Sequence, residues 1–182
     1  MPSELATLRL DPATVTSTFQ DGNITRHPES HFLDLLVDDR TLRLTVGEPA
    51  QGLVTELNRP WLPEVPEAVD RLLGRRPAEF LAWGRVALLV SSVDGDIGCG
   101  QLTTALDVGA AEVTWSDFLW EGSSDSRPVE HLTEPVRFDG AQYQDAFADA
   151  YERLAGFPYE EMAHRGRRFL WPWQWGWRLP RD

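Results

Sequence analysis

The sequence predicts an α+β fold, a mainly antiparallel sheet with one long and one short helix, and three observations predict it. Three β-prone runs between residues 84 and 121 are separated by glycine-bearing turns, as in a meander. Residues 140–154 repeat apolar side chains at helical spacing. Short apolar and alternating runs fill the first fifty residues.

Taken in order, Leu5–Leu10 and Val15–Phe19 read as short strands parted by the turn signal Asp11-Pro12. Leu33–Val37 and Leu42–Val46 flank Asp38-Asp39-Arg40 and read as a half-buried hairpin, with Leu42, Leu44 and Val46 on one face. Four prolines between Gly47 and Pro66 mark an irregular connector, anchored on the core by Trp61. A short helix follows over Glu67–Leu73, closed by Gly74, with Arg75 and Arg76 suited to its dipole. Val86–Val90 is continuously apolar and reads as a central strand covered on both faces. The loop Asp94–Gly100 leads to a strand over Gln101–Val108, and Gly109-Ala110-Ala111 turns it into Glu112–Glu121. Strict alternation in that last strand would place Val113, Trp115, Asp117, Leu119 and Glu121 on one face. Gly122–Glu134 reads as a polar loop and Val136–Phe138 as a short strand. Asp139 is a good N-cap for a helix over Gly140–Leu154, whose stripe is Tyr143, Phe147, Ala150, Tyr151 and Leu154.

The chain has 182 residues, 42% hydrophobic and 25% charged, which is globular composition and excludes a disordered chain or a coiled coil. We expect one α+β domain over residues 1–163 and a Trp/Arg-rich tail over 164–182. All 17 cations are arginine, and the net charge of −12 opposes binding to nucleic acid or to an anionic membrane. The longest aliphatic run, Val86–Val90, is far short of the ~20 residues that span a bilayer. Met1–Leu5 shows no basic or apolar leader, so no secretory signal is expected. A single cysteine, Cys99, excludes an internal disulfide and suits the cytoplasm.

The tail is the unusual segment. It holds five arginines and one aspartate, a net +4, against −16 on the other 163 residues. Trp171, Trp173, Trp175 and Trp177 recur every second residue, so an extended chain would project all four rings from one face. At ~150–250 Å² per ring they demand burial, either on the protein's own sheet or on a partner. Arg167 and Arg168 beside them complete a composition typical of interface hot spots. Stacking on single-stranded nucleic acid, membrane insertion and sugar binding rank below a protein contact or self-association.

The Asp94–Gly100 loop fails as a Ca²⁺ loop: Cys99 stands where the pattern needs glycine and Ala105 where it needs glutamate. It lacks the Gly-Lys-Ser/Thr of a phosphate loop as well. No cofactor motif is present. Asp96-Ile97-Gly98-Cys99-Gly100-Gln101-Leu102-Thr103, then Val113-Thr114-Trp115-Ser116-Asp117-Phe118-Leu119-Trp120-Glu121, then Phe138 and Tyr143, resemble the D-x-G-C-G…LT…V-x-W-x-D-F-x-W-E pattern of an uncharacterised family from high-GC bacteria. The resemblance spans residues 84–150 and implies a fold but no activity. Some members carry extra cysteines before the loop, which would permit a metal. This chain has Ser91 and Ser92 there, and one thiol cannot build a thiolate-rich zinc site.

Two function classes follow. One is a small acidic protein-binding protein, immunity- or antitoxin-like or regulatory, with Asp117 and Glu121 on the Trp115 face as an acidic groove for a basic partner. The other is a small enzyme with a site around Cys99, His131 and Asp117, since a cysteine nucleophile needs a base and an orienting group. Free cysteine is more often a small buried hydrophobe.

Overall fold

The computed structural model describes residues 4–16, 19–21, 24–26, 29–47, 50, 52–82, 84–92, 99–122 and 125–159. Antiparallel sheets with a few helices packed on them confirm the α+β class. One sheet runs β1 (Leu8–Thr16), β4 (Glu29–Val37), β5 (Arg40–Thr41), with a separate hairpin of β2 (Phe19–Asp21) and β3 (Ile24–Arg26) inserted between β1 and β4. The other runs β10 (Ser126–Pro128), β9 (Glu112–Glu121), β8 (Gln101–Val108), β7 (Arg85–Ser91), β6 (Leu53–Val54). The short β11 (Val136–Asp139) pairs with the first half of β9, where β10 takes the second half. The expected meander of β7, β8 and β9 is present, and β7 is buried along most of its length.

Single bridges join the two sheets on both sides. Ala6 lies parallel to Phe138, and Phe32 lies antiparallel to Asn58. Ala6 N–H donates to the Arg137 carbonyl at 2.7 Å, and Leu33 N–H to the Leu57 carbonyl at 2.9 Å. Apolar side chains from β1 and β4 and from β7, β8 and β9 share one core. The outer edge of β1 is closed by side chains. Leu8 N–H donates to Gln142 Oε1 at 3.1 Å, Gln142 Nε2 donates to the Leu8 carbonyl at 2.6 Å, and Arg153 Nη2 donates to the Leu10 carbonyl at 2.8 Å. These contacts cover the first part of that edge and blunt it against pairing with another chain.

Four short helices complete the fold: α1 (Leu42–Val46), α2 (Val65–Leu72), α3 (Gly140–Asp145) and α4 (Ala150–Ala155). The Pro-rich connector is more regular than expected: it holds the short β6, a 3₁₀ segment over Arg59–Glu64 and the start of α2 at Val65, and Trp61 packs on the small cluster Phe32, Val54 and Val90. Asp139 caps α3 as expected, its carboxylate accepting from Ala141 and Gln142 N–H at 3.0 and 2.9 Å.

The structure corrects four local expectations. β1 runs straight through Asp11-Pro12, because Pro12 shares the outward phase of Leu8 on an edge strand, where no ladder N–H is needed. Leu42–Val46 is a helix, not the second arm of a hairpin. Both periods place Leu42 and Val46 together; Leu44, 75% exposed, shows that the helical one prevails. Thr41 caps it, its hydroxyl accepting from Leu44 N–H at 3.4 Å. The helix over 140–154 is divided: i to i−3 bonds tighten Ala146–Asp149 between α3 and α4. Tyr151 leaves the stripe and is exposed. The loop after Gly122 contains the missed strand β10.

Two buried polar contacts hold the layers together. Trp115, fully buried, donates from Nε1 to the Tyr143 hydroxyl at 3.0 Å, and Tyr143 donates onward to the Leu72 carbonyl at 2.9 Å. Leu72 ends α2, where carbonyls lack helical partners. Burial pushes the Tyr143 phenol well above its usual range, so it stays protonated and able to donate. Phe138 and Phe147 pack around the pair in edge-on and tilted geometry. In the other sheet, Asp34 is almost fully buried and accepts from Arg43 Nε at 2.9 Å and from Leu35 N–H at 3.0 Å. Arg43 also lies over the Phe32 ring, 4.8 Å from its centroid. Burial raises the Asp34 carboxyl above 3.8 despite the opposing pull of Arg43.

Tyr143→Phe should lower stability by about 1–3 kcal/mol in urea unfolding, since it strands a buried donor and a buried acceptor. Arg43→Met should cost about 3–5 kcal/mol at neutral pH, because it leaves the buried Asp34 carboxylate without its counter-charge. A raised carboxyl binds its proton more tightly in the folded than in the unfolded chain, so that loss should shrink as pH falls from neutral through the folded-state value toward 3.8. Melting temperatures of both chains between pH 7 and 4 check this sign.

Candidate functional site

The site begins with a break in strand pairing. Ala105 pairs with Ser116 and Thr103 with Leu119, so β9 carries one extra residue between them. Asp117 falls in this bulge at φ 50°, a left-handed conformation that aspartate tolerates better than most residues. The bulge reverses the alternation beyond it. Trp115 and Phe118 are buried together in the core, while Glu121 pairs with Gln101 on the opposite face of the sheet. The expected acidic groove of Asp117 and Glu121 on the Trp115 face is therefore not formed.

What the bulge builds is a seat for a buried cation. Arg85 is only 8% exposed, and its Nη1 donates to Asp117 Oδ2 at 2.7 Å. Its Nη2 donates to the Asp117 carbonyl and to Thr103 Oγ1, both at 2.8 Å. Such pairing is what a buried guanidinium requires. Glu121 Oε2 lies 3.9 Å from Arg85 Nε but is buried without a hydrogen bond.

On this same face the segment after α2, Arg76 to Leu81, stands off the sheet and leaves a cleft of about 340 Å³. Ala87, Val90 and Gln101 lie on its sheet side; Glu56, Glu67, Arg71, Arg76, Glu79 and Phe80 line the remainder. A second hollow of about 290 Å³, lined by Trp61, Glu64 and Ala68, shares Glu56, Glu67, Arg71 and Val90 with it. The two form one groove from Trp61 to Leu81. Its charges are partly paired: Arg71 to Glu56 at 2.8 Å, Arg76 to Glu67 at 3.1 Å and to Glu79 at 3.8 Å. Four glutamates against two arginines leave the groove at −2. Glu64 is exposed and forms no ion pair with any described residue. Phe80 is 82% exposed at the lip. Gln101, by contrast, is only 3% exposed, and its Nε2 has no hydrogen-bond partner among the described residues.

The sequence-derived candidates fall elsewhere. Asp117 is committed to Arg85. Cys99 is exposed and borders another hollow with Leu53, Trp120, Glu121, Asp125 and Arg127. His131 is exposed in the connection between β10 and β11 and does not line that hollow. Arg167, Arg168, Trp171, Trp173, Trp175 and Trp177 lie outside the described residues, as do 93–98 of the glycine-rich loop. Among the described residues no three His, Cys, Asp or Glu gather as a metal site, and no helix is long and apolar enough to cross a membrane. Comparison with known protein families, with curated proteins and with solved structures yields no match.

Sequence reading passed over the groove because its residues are scattered across α2, β7 and β8. The available signals were Gln101, a polar residue opening an otherwise β-prone strand, and the dense charges of Glu67–Glu79 ending on Phe80. Asp117→Val and Asp117→Asn both remove the carboxylate from Arg85. The valine chain should be less stable by a further ~1–2 kcal/mol in urea unfolding, because a β-branched residue resists the left-handed backbone that asparagine accepts.

Proposed function

We propose that this chain is a small acidic protein-binding protein, immunity- or antitoxin-like or regulatory in kind, that receives a cationic segment of a partner protein in the groove beside α2. The observation that carries the reading is the groove's composition. An acidic excess on an exposed rim is set between two aromatic rings, Trp61 and Phe80, over an apolar floor. A guanidinium or ammonium group entering there meets Glu64, which forms no ion pair among the described residues, and Glu67, which two arginines share. The ring faces attract the same cation. The net charge of −12 draws a basic partner in from a distance and speeds encounter. Apolar contact with Val90, Ala87 and Phe80 then holds it.

The test uses the full-length chain and a fluorescently labelled, capped tetra-arginine peptide at about 0.15 M salt, where long-range attraction is screened. Glu64→Gln with Glu67→Gln should weaken binding about fivefold, the effect of two exposed pairs worth ~0.5 kcal/mol each. Glu130→Gln with Glu134→Gln, in the loop before β11, changes the net charge equally and should have little effect. Equal losses from the two pairs, or no binding at all, overturn the reading.

A further inference from the structure

We propose that the Gln101 carboxamide is the recognition group on the floor of the groove, and that it donates to a backbone carbonyl of an extended, cationic peptide segment. The inference rests on the groove being the binding surface. Buried donors in folded proteins are nearly always paired, yet Gln101 Nε2 is buried without a partner among the described residues. The neighbours beside it on the sheet side of the cleft, Ala87 and Val90, have no polar side-chain atom to offer. Its register partner in β9, Glu121, makes no hydrogen bond to it; Glu121 Oε2 lies 3.9 Å from Arg85 Nε and is itself without a hydrogen bond among the described residues.

The missing acceptor is neutral. Glu56, Glu67 and Glu79 outnumber Arg71 and Arg76 around the cleft, and Glu121 sits across the ladder, so a carboxylate or phosphate would be repelled. A peptide carbonyl carries the needed lone pairs without charge. The groove is elongated from Trp61 to Leu81 and flanked by acids, which fits an extended chain that lays one carbonyl inward and directs cationic side chains at Glu64 and Glu67.

Two probes separate the carbonyl from the charge. Capped tetra-arginine has backbone carbonyls; spermine is a linear tetracation without any. Gln101→Met keeps the side-chain length and removes the donor. In the full-length chain it should weaken tetra-arginine binding about tenfold and leave spermine binding unchanged. In the unsubstituted chain, the Gln101 side-chain NH₂ resonances should move on adding tetra-arginine and stay in place with spermine, a measurement that needs no variant to fold. If Gln101→Met leaves tetra-arginine binding intact while Glu64→Gln with Glu67→Gln weakens it about fivefold, the groove stands and the carbonyl inference falls. If both probes move the NH₂ resonances alike, or both lose affinity alike, the inference also falls. If neither probe binds the unsubstituted chain, the groove reading falls with it.

Discussion

The hydrogen-bond relay from Trp115 through Tyr143 to the Leu72 carbonyl is the constraint on which the rest of the molecule depends. It ties the central β9, the helix α3 and the end of α2 at one buried point. None of the three groups has water as an alternative, because Trp115 and Tyr143 are fully buried. With the end of α2 fixed there, Gly74 at φ 68° turns the chain sharply and sends Arg75 onward. That turn holds the segment Arg76 to Leu81 off the sheet. The groove wall is thus a consequence of a core contact on the other side of the sheet.

Two aspartate–arginine pairs, each with one buried partner, repeat a design on a smaller scale. In each, an arginine with little exposure is held by an aspartate that departs from the surrounding pattern. Asp34 sits within an apolar strand, and Asp117 sits in a bulge. Removing Arg43 leaves the buried Asp34 carboxylate unpaired, and removing Asp117 leaves the buried Arg85 guanidinium without that counter-charge; each loss costs more than forming the pair contributes. Such pairs specify geometry more than they add stability. Arg43 locks the short α1 against β4, and Arg85 locks β7 against the displaced part of β9.

Much of the fold was legible in residue order. The meander from Arg85 to Glu121, the cap at Asp139 and the end of α2 at Gly74 follow from local rules that the tertiary structure leaves in force. The failures have physical causes. A five-residue window such as Leu42–Val46 satisfies both strand and helix periods, and only the buried partner Asp34, eight positions before it, favours the helix. Pro12 reads as a turn unless the strand is known to be an edge. The bulge at Asp117 has no glycine to announce it, and one inserted residue sent Glu121 to the other face. The candidate site was illegible for the same reason: its floor, wall and rim come from segments that topology alone brings together.

The clasp on the first strand carries a consequence for biosynthesis. Leu8 and Leu10 leave the ribosome long before Gln142 and Arg153, the residues that occupy their outward backbone groups. Ala6 waits as long for Phe138. The outward backbone groups of Leu8 and Leu10 therefore stay uncovered until α3 and α4 have been made. Contacts between the first strand and residues 138–153 are of long sequence separation, which places them among the slower ones to form.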